Sequence, residues 1–134
     1  MVVGEISQQR NLIIIGGGPG GYSAAIRGAQ LGLSVTLIEQ ADLGGVCLNK
    51  GCIPSKIFTH AATKRSETSH LQDLGIGNGD VAFNVNKLLT YKNKVIDGLR
   101  AGVESLCKEN KVEVINGKAT FLGIDRIGVE KGHQ

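Results

Sequence analysis

Two cysteines five positions apart, Cys47 and Cys52, stand in the stretch Leu43-Gly44-Gly45-Val46-Cys47-Leu48-Asn49-Lys50-Gly51-Cys52-Ile53-Pro54-Ser55-Lys56. Closely spaced thiols can ligate a metal, or they can exchange between dithiol and disulfide by thiolate attack on sulfur. On a regular helix, residues five apart have Cα atoms roughly 8–9 Å apart. A disulfide spans roughly 4.4–6.8 Å. A bridge here therefore demands irregular backbone between the cysteines, and Gly51 supplies that freedom. The spacing predicts an irregular turn through Asn49 to Gly51, with helix regular only beyond Pro54. Structural zinc usually takes two such pairs, or one pair with nearby histidines. Here Cys107 stands alone, and His60, His70 and His133 form no ligand pattern. Zinc, and the packing of two unrelated buried cysteines, stay open as alternatives.

A second group of residues suits a nucleotide. Gly16-Gly17-Gly18-Pro19-Gly20-Gly21 satisfies G-x-G-x-x-G through Gly16, Gly18 and Gly21. The first glycine allows a tight turn, the second lets backbone approach a pyrophosphate, and the third lets a helix lie against a strand. The helix that follows offers free N–H groups and the positive end of its dipole to phosphates. Glu39 stands 18 residues after Gly21. A carboxylate there can accept hydrogen bonds from a ribose and repels a 2′-phosphate. A redox disulfide explains the cysteine pair and this turn together. Nicotinamide delivers hydride, thiols react as thiolates, and a flavin between them accepts the one and passes electrons to the other. The combination suggests FAD at this first site.

The elements that must hold these residues are legible from the hydrophobic pattern. Leu12-Ile13-Ile14-Ile15 reads as a parallel strand buried on both faces. Tyr22 to Leu31 suits a helix, closed by Gly32. Val35 to Ile38 is a second buried strand that ends at Glu39. Strand, turn, helix and strand make a right-handed βαβ unit. Gln40 to Gly51 is a glycine-rich connection, and Pro54 fits the first turn of a helix from about Ile53 to near Leu71. Asp73 to Asp80 reads as a surface loop. Val85, Leu88, Leu89, Val95, Ile96, Leu99, Val103 and Leu106 recur at helical spacing, which predicts one long helix from Asn84 to Glu109. Gly98 and Gly102 inside it suggest close packing. Val112 to Leu122 and Arg126 to Val129 read as strands with a turn between them. No internal repeat and no second domain is visible.

These motifs carry a resemblance. The stretch from Gly44 to Lys56 resembles the redox signature of the pyridine nucleotide-disulfide oxidoreductases. Gly16 to Arg27 resembles the FAD turn of the dihydrolipoamide dehydrogenases within that family, and the likeness runs through essentially the whole chain. It implies an α/β, Rossmann-like FAD-binding domain over residues 1–134. The order would be a βαβ start, a redox-disulfide helix, a long helix and antiparallel strands, incomplete at the C-terminus. By the resemblance, Cys47 would be the interchange thiol and Cys52 the thiolate against the flavin. Lys56 would point toward the reactive edge of the ring. Gly16, Gly18, Pro19, Gly20 and Gly21 would hold the pyrophosphate. Glu39 would hold the ribose, Gln40 would also bind the cofactor, Gly44, Gly45, Val46 and Cys47 would line the FAD site, and Gly117 and Ala119 would pass near the adenine.

The family reaction moves electrons from dihydrolipoamide through the disulfide and FAD to NAD+. The implied assembly is a homodimer serving a lipoamide-bearing 2-oxo-acid dehydrogenase complex. The family's NAD site and its interface domain, with a catalytic His–Glu pair, would lie outside this chain, so the chain alone is not expected to turn over. None of its three histidines takes that role: His60 and His70 read as helix surface, His133 as tail, and Cys107 as a small core residue. Pro54-Ser55-Lys56 resembles the lipoamide and mercury enzymes more than the glutathione ones. A stand-alone FAD or adenine-nucleotide module is the alternative of another class.

Composition excludes several other readings. The chain has 134 residues, 41% hydrophobic, enough for one domain with a core. Its 20 glycines are about twice average usage and cluster at 16–21 and 44–51. A net charge of +3 with 4% aromatic residues and no basic stripe speaks against nucleic acid. Met1 to Arg10 lacks a signal peptide's basic start and apolar core. No apolar run reaches the roughly 20 residues that span a bilayer. A cytoplasmic protein is expected.

Overall fold

The computed structural model describes residues 7–77 and 82–130. The elements are β1 (Leu12–Ile15), α1 (Pro19–Gln30), β2 (Val35–Glu39), α2 (Gly45–Asn49), α3 (Cys52–Asp73), α4 (Val85–Glu109), β3 (Glu113–Asn116), β4 (Lys118–Phe121) and β5 (Ile127–Glu130). β1, β2 and β3 form a parallel sheet in that order, with Ile15 beside Ile38 and Glu39 beside Asn116. β4 and β5 form a separate antiparallel hairpin.

The β1–α1–β2 unit matches the sequence reading, and Gly32 closes α1 at φ 88°. The helix starts at Pro19 rather than Tyr22, because proline's fixed φ suits the first helical position. β1 differs from its expected double burial. It lies at an edge of the sheet, its first three residues are half-buried, and Ile15 is 45% exposed. β2 is central, and Val35 to Ile38 are all buried.

The core lies between this sheet and the helices. Ala25, Val35, Leu37, Leu43, Leu48, Ile96, Val103, Cys107 and Val112 form one buried cluster. Leu37 is fully buried, which stabilises by about 1.5–3 kcal/mol. Cys107 is fully buried as well, the small core residue expected of it.

α4 runs as the spacing predicts. Asn84 caps it, its side chain accepting a hydrogen bond from Lys87 N at 2.9 Å. The packing expected at Gly98 and Gly102 is absent: a Cβ added at either would meet nothing within 4 Å. The strand expected over 112–122 is two strands. Gly117 divides them, and a Cβ there would lie 2.6 Å from Glu130 O. That crossing takes the chain out of the parallel sheet and into the hairpin. α3 ends at Asp73, and residues 74–77 are irregular as the loop reading has it. The rest of that loop, 78–80, lies outside the described residues, as does His133. His60 and His70 are exposed on α3.

Candidate functional site

The site gathers where the parallel strands end. At Gly16 the chain leaves β1 with φ 99°, a conformation that favours glycine. Gly16 N donates to Ile38 O at 2.8 Å, which ties the turn to β2. A Cβ on Gly21 would overlap the Gly16 carbonyl, so α1 lies as close to the turn as its backbone permits. At Gly18 a Cβ would meet only Gly45 Cα, at 4.0 Å. No side chain caps α1. Its first intrahelical bond runs from Tyr22 N to Gly18 O. Pro19 has no N–H, so Gly20 and Gly21 present the free donors of the first turn. An uncapped helix start beside open space fits an anion such as a pyrophosphate.

Glu39 closes β2 beside this turn. Its Oε2 accepts from Gly17 N at 2.7 Å and its Oε1 from Ala41 N at 2.8 Å. Gly117 N donates to the Glu39 carbonyl at 2.9 Å. Gln40 follows, exposed. Ala119 sits two residues beyond Gly117 in the hairpin, paired with Val129.

The connection from residue 40 to residue 51 packs onto the turn. Gly44 N donates to Gly17 O at 2.8 Å, with Gly44 at φ 97°. A Cβ on Gly45 would lie 2.8 Å from Gly18 Cα, and one on Gly17 would lie 2.6 Å from Leu43 Cδ2. The two glycine loops are therefore in backbone contact. Gly17 has no place in the G-x-G-x-x-G pattern, and only its glycine neighbourhood hints at this role.

The sequence predicts irregular backbone between the cysteines, and the structure has a break there. The break is narrower than expected. α2 carries Cys47, Lys50 and Gly51 interrupt the helix, and Cys52 begins α3, two residues before Pro54. Gly51 acts by closeness: a Cβ there would lie 3.1 Å from Val46 O. Both cysteines are free thiols. The neighbouring Cys52 thiol raises the Cys47 pKa above the ordinary thiol value. Desolvation adds to the rise, while the Lys56 ammonium and a backbone hydrogen bond from Cys52 oppose it. Cys47 is half-buried, and Cys52, Lys56 and Val46 are exposed. Cys107 stays apart in the core, where burial raises its pKa, with Glu104 adding to the effect.

Asn49 and Arg100 are the residues that sequence reasoning missed. Asn49 Nδ2 donates to Leu43 O at 3.0 Å and Gly45 O at 2.9 Å. Arg100 on α4 donates to Asn49 Oδ1 through Nε at 3.2 Å and Nη2 at 2.9 Å. No short spacing announces a pair 51 positions apart. A cavity of about 560 Å³ beside Glu39 and Arg100 includes neither the turn nor the cysteines. Among the described residues, no group of three or more His, Cys, Asp or Glu comes together to hold a metal. No described helix is long and apolar enough to cross a membrane.

Known proteins match this arrangement. The family described as pyridine nucleotide-disulphide oxidoreductase matches residues 10–133. A dihydrolipoyl dehydrogenase of Staphylococcus aureus is 48% identical over 122 residues, 91% of this chain and 26% of that protein. One of Halobacterium salinarum is 46% identical over 132 residues, 98% of this chain and 28% of that protein. The chain thus spans about a quarter of the length of these relatives. The solved Cu(II) complex of the HOCl-induced flavoprotein disulfide reductase RclA from Escherichia coli superposes with a TM-score of 0.72 at 29% identity. That match covers 89% of this chain and 24% of the solved one.

Proposed function

Because the chain belongs to the pyridine nucleotide-disulphide oxidoreductase family, we propose that it forms the FAD-binding, disulfide-carrying part of an enzyme that oxidises dihydrolipoamide with NAD+. The observation that carries this reading is the placing of Cys47 and Cys52 on either side of a two-residue helix break, in a segment whose glycines abut the phosphate-binding turn.

In the forward reaction the pair starts as a disulfide. A dihydrolipoamide thiolate attacks Cys47 Sγ, the Cys47–Cys52 bond breaks, and Cys52 leaves as a thiolate. The second substrate thiolate then closes the lipoamide disulfide and releases Cys47, so the chain holds two electrons on its thiols. Bound FAD supplies the two-electron acceptor between these thiols and NAD+. Gly16 to Gly21 and the start of α1 would hold the pyrophosphate through free backbone N–H groups. Glu39, whose carboxylate keeps unused acceptor capacity beside Gly17 N and Ala41 N, would accept hydrogen bonds from the ribose. Lys56 stabilises negative charge developing near the sulfurs.

Thiol–disulfide exchange proceeds through the thiolate, so the departing and attacking sulfurs call for a nearby acid–base group. Neither described histidine is placed to serve. His60 and His70 lie about two and five helical turns beyond Cys52. The base in this reading comes from a partner subunit of a homodimer, and the NAD site from outside this chain. The assembly works in the cytoplasm beside a 2-oxo-acid dehydrogenase complex.

FAD titration tests the reading. The expected outcome is one FAD bound per chain, with affinity lowered about tenfold in Glu39→Ala, the loss of hydrogen bonds to a charged group. A folded chain that binds stoichiometric zinc and no flavin contradicts it.

A further inference from the structure

α2 has five residues, far fewer than a helix needs to persist by itself in water. Cys47 nevertheless requires a fixed place on it. The segment's anchors are Leu48, which is buried in the core, and Asn49. The Asn49 amide has one side that donates and one that accepts. Its Nδ2 reaches the carbonyls of Leu43 and Gly45, and more distantly Asp42 O at 3.4 Å. Leu43, in the loop before α2, lies against Gly17, and Gly45, the first residue of α2, lies against Gly18. Its Oδ1 takes both Arg100 donors. The guanidinium in turn stands 3.4 Å from Asp42 Oδ2 and 3.7 Å from Asp97 Oδ1. Arg100 thus favours the amide orientation whose Nδ2 looks at the carbonyls, and it ties α4 to the segment bearing Cys47.

We propose that Arg100 is a positioning residue for the thiol pair. By holding the Asn49 side chain it locks α2 to the loop at Leu43, and so sets how effectively Cys47 meets Cys52. This rests on the reading of Cys47 and Cys52 as a redox pair.

Equilibration of the chain with glutathione and glutathione disulfide tests it. The Cys47 thiolate attacks glutathione disulfide, forming a mixed disulfide and expelling one glutathione. The Cys52 thiolate displaces the second, leaving the protein disulfide and two glutathione thiols. The equilibrium constant is the effective concentration of one thiol at the other. Arg100→Met is expected to lower it about tenfold, as for the loss of a charge-assisted hydrogen bond. Arg100→Lys, which keeps a cationic donor, is expected to fall between.

A merely structural role for Arg100 lowers the melting temperature and leaves this constant unchanged. In an Asn49→Ala background, Arg100→Met is expected to add no further loss, because both act through one contact. A constant unchanged in Arg100→Met, or an equal loss in both backgrounds, overturns the inference while leaving the redox reading intact. If Arg100→Met does not fold, the same cycle is read with Arg100→Lys. A wild-type chain that forms no Cys47–Cys52 disulfide overturns both, since there is then no pair to position.

Discussion

Gly20 and Gly21 are neighbours in the first turn of α1, yet an added methyl meets different surroundings at each. At Gly20 a Cβ meets nothing within 4 Å, and at Gly21 it overlaps the Gly16 carbonyl. Gly20→Ala is therefore expected to leave stability unchanged or raise it by up to about 1 kcal/mol. Gly21→Ala is expected to cost about 1–3 kcal/mol, since backbone must shift to relieve the overlap. Urea denaturation of the two variants checks the contrast. The turn was legible because its glycines serve a local backbone geometry that short spacing records. Asn49 and Arg100 were not, because their contact depends on how α4 docks, and nothing local to either residue encodes that. The thiol contact lay between these cases. The break was readable from the mismatch between helical spacing and sulfur reach, but the five-residue helix before it was not, because its support comes from Leu48 and Asn49 rather than from helix propensity.

At the scale of elements, α4 was visible from its apolar repeat, while its two glycines misled. Glycine inside a helix suggests a close neighbour, yet Gly98 and Gly102 face open space. Substitution to alanine at each is expected to stabilise the chain by about 1 kcal/mol, measured as a shift in the denaturation midpoint. The run from Val112 to Leu122 carried no warning in its hydrophobicity that it changes sheets. The signal was Gly117 alone, and the crossing it permits depends on Glu130, which arrives only when the hairpin closes.

Across the whole molecule, a polar clamp joins the parallel strands at the end remote from the cysteines. Arg10 donates to Glu113 Oε2 through Nη2 at 2.6 Å, and to Thr36 Oγ1 through Nε at 2.9 Å. Thr36 Oγ1, buried in the central strand, donates to Glu113 Oε2 at 2.9 Å. Arg10 holds the Glu113 carboxyl below its usual pKa, with Thr36 adding a smaller effect in the same direction. A depressed folded-state pKa contributes stability above the unfolded value, and that contribution is lost as pH falls through the folded one. Stability is thus expected to decline from about pH 4.3 downward, with the decline shallower in Glu113→Gln. Denaturation midpoints across that range measure it. The pair is partly exposed, so salt should weaken the effect.

The proposed function requires that Cys47 and Cys52 form one redox couple. The most direct test poises the chain at a series of glutathione potentials, quenches with a thiol alkylating agent, and maps each cysteine by mass spectrometry. The prediction is a single two-electron transition in which Cys47 and Cys52 lose and regain alkylation together, while Cys107 stays reduced throughout. A bridge that includes Cys107, or independent behaviour of Cys47 and Cys52, would contradict it.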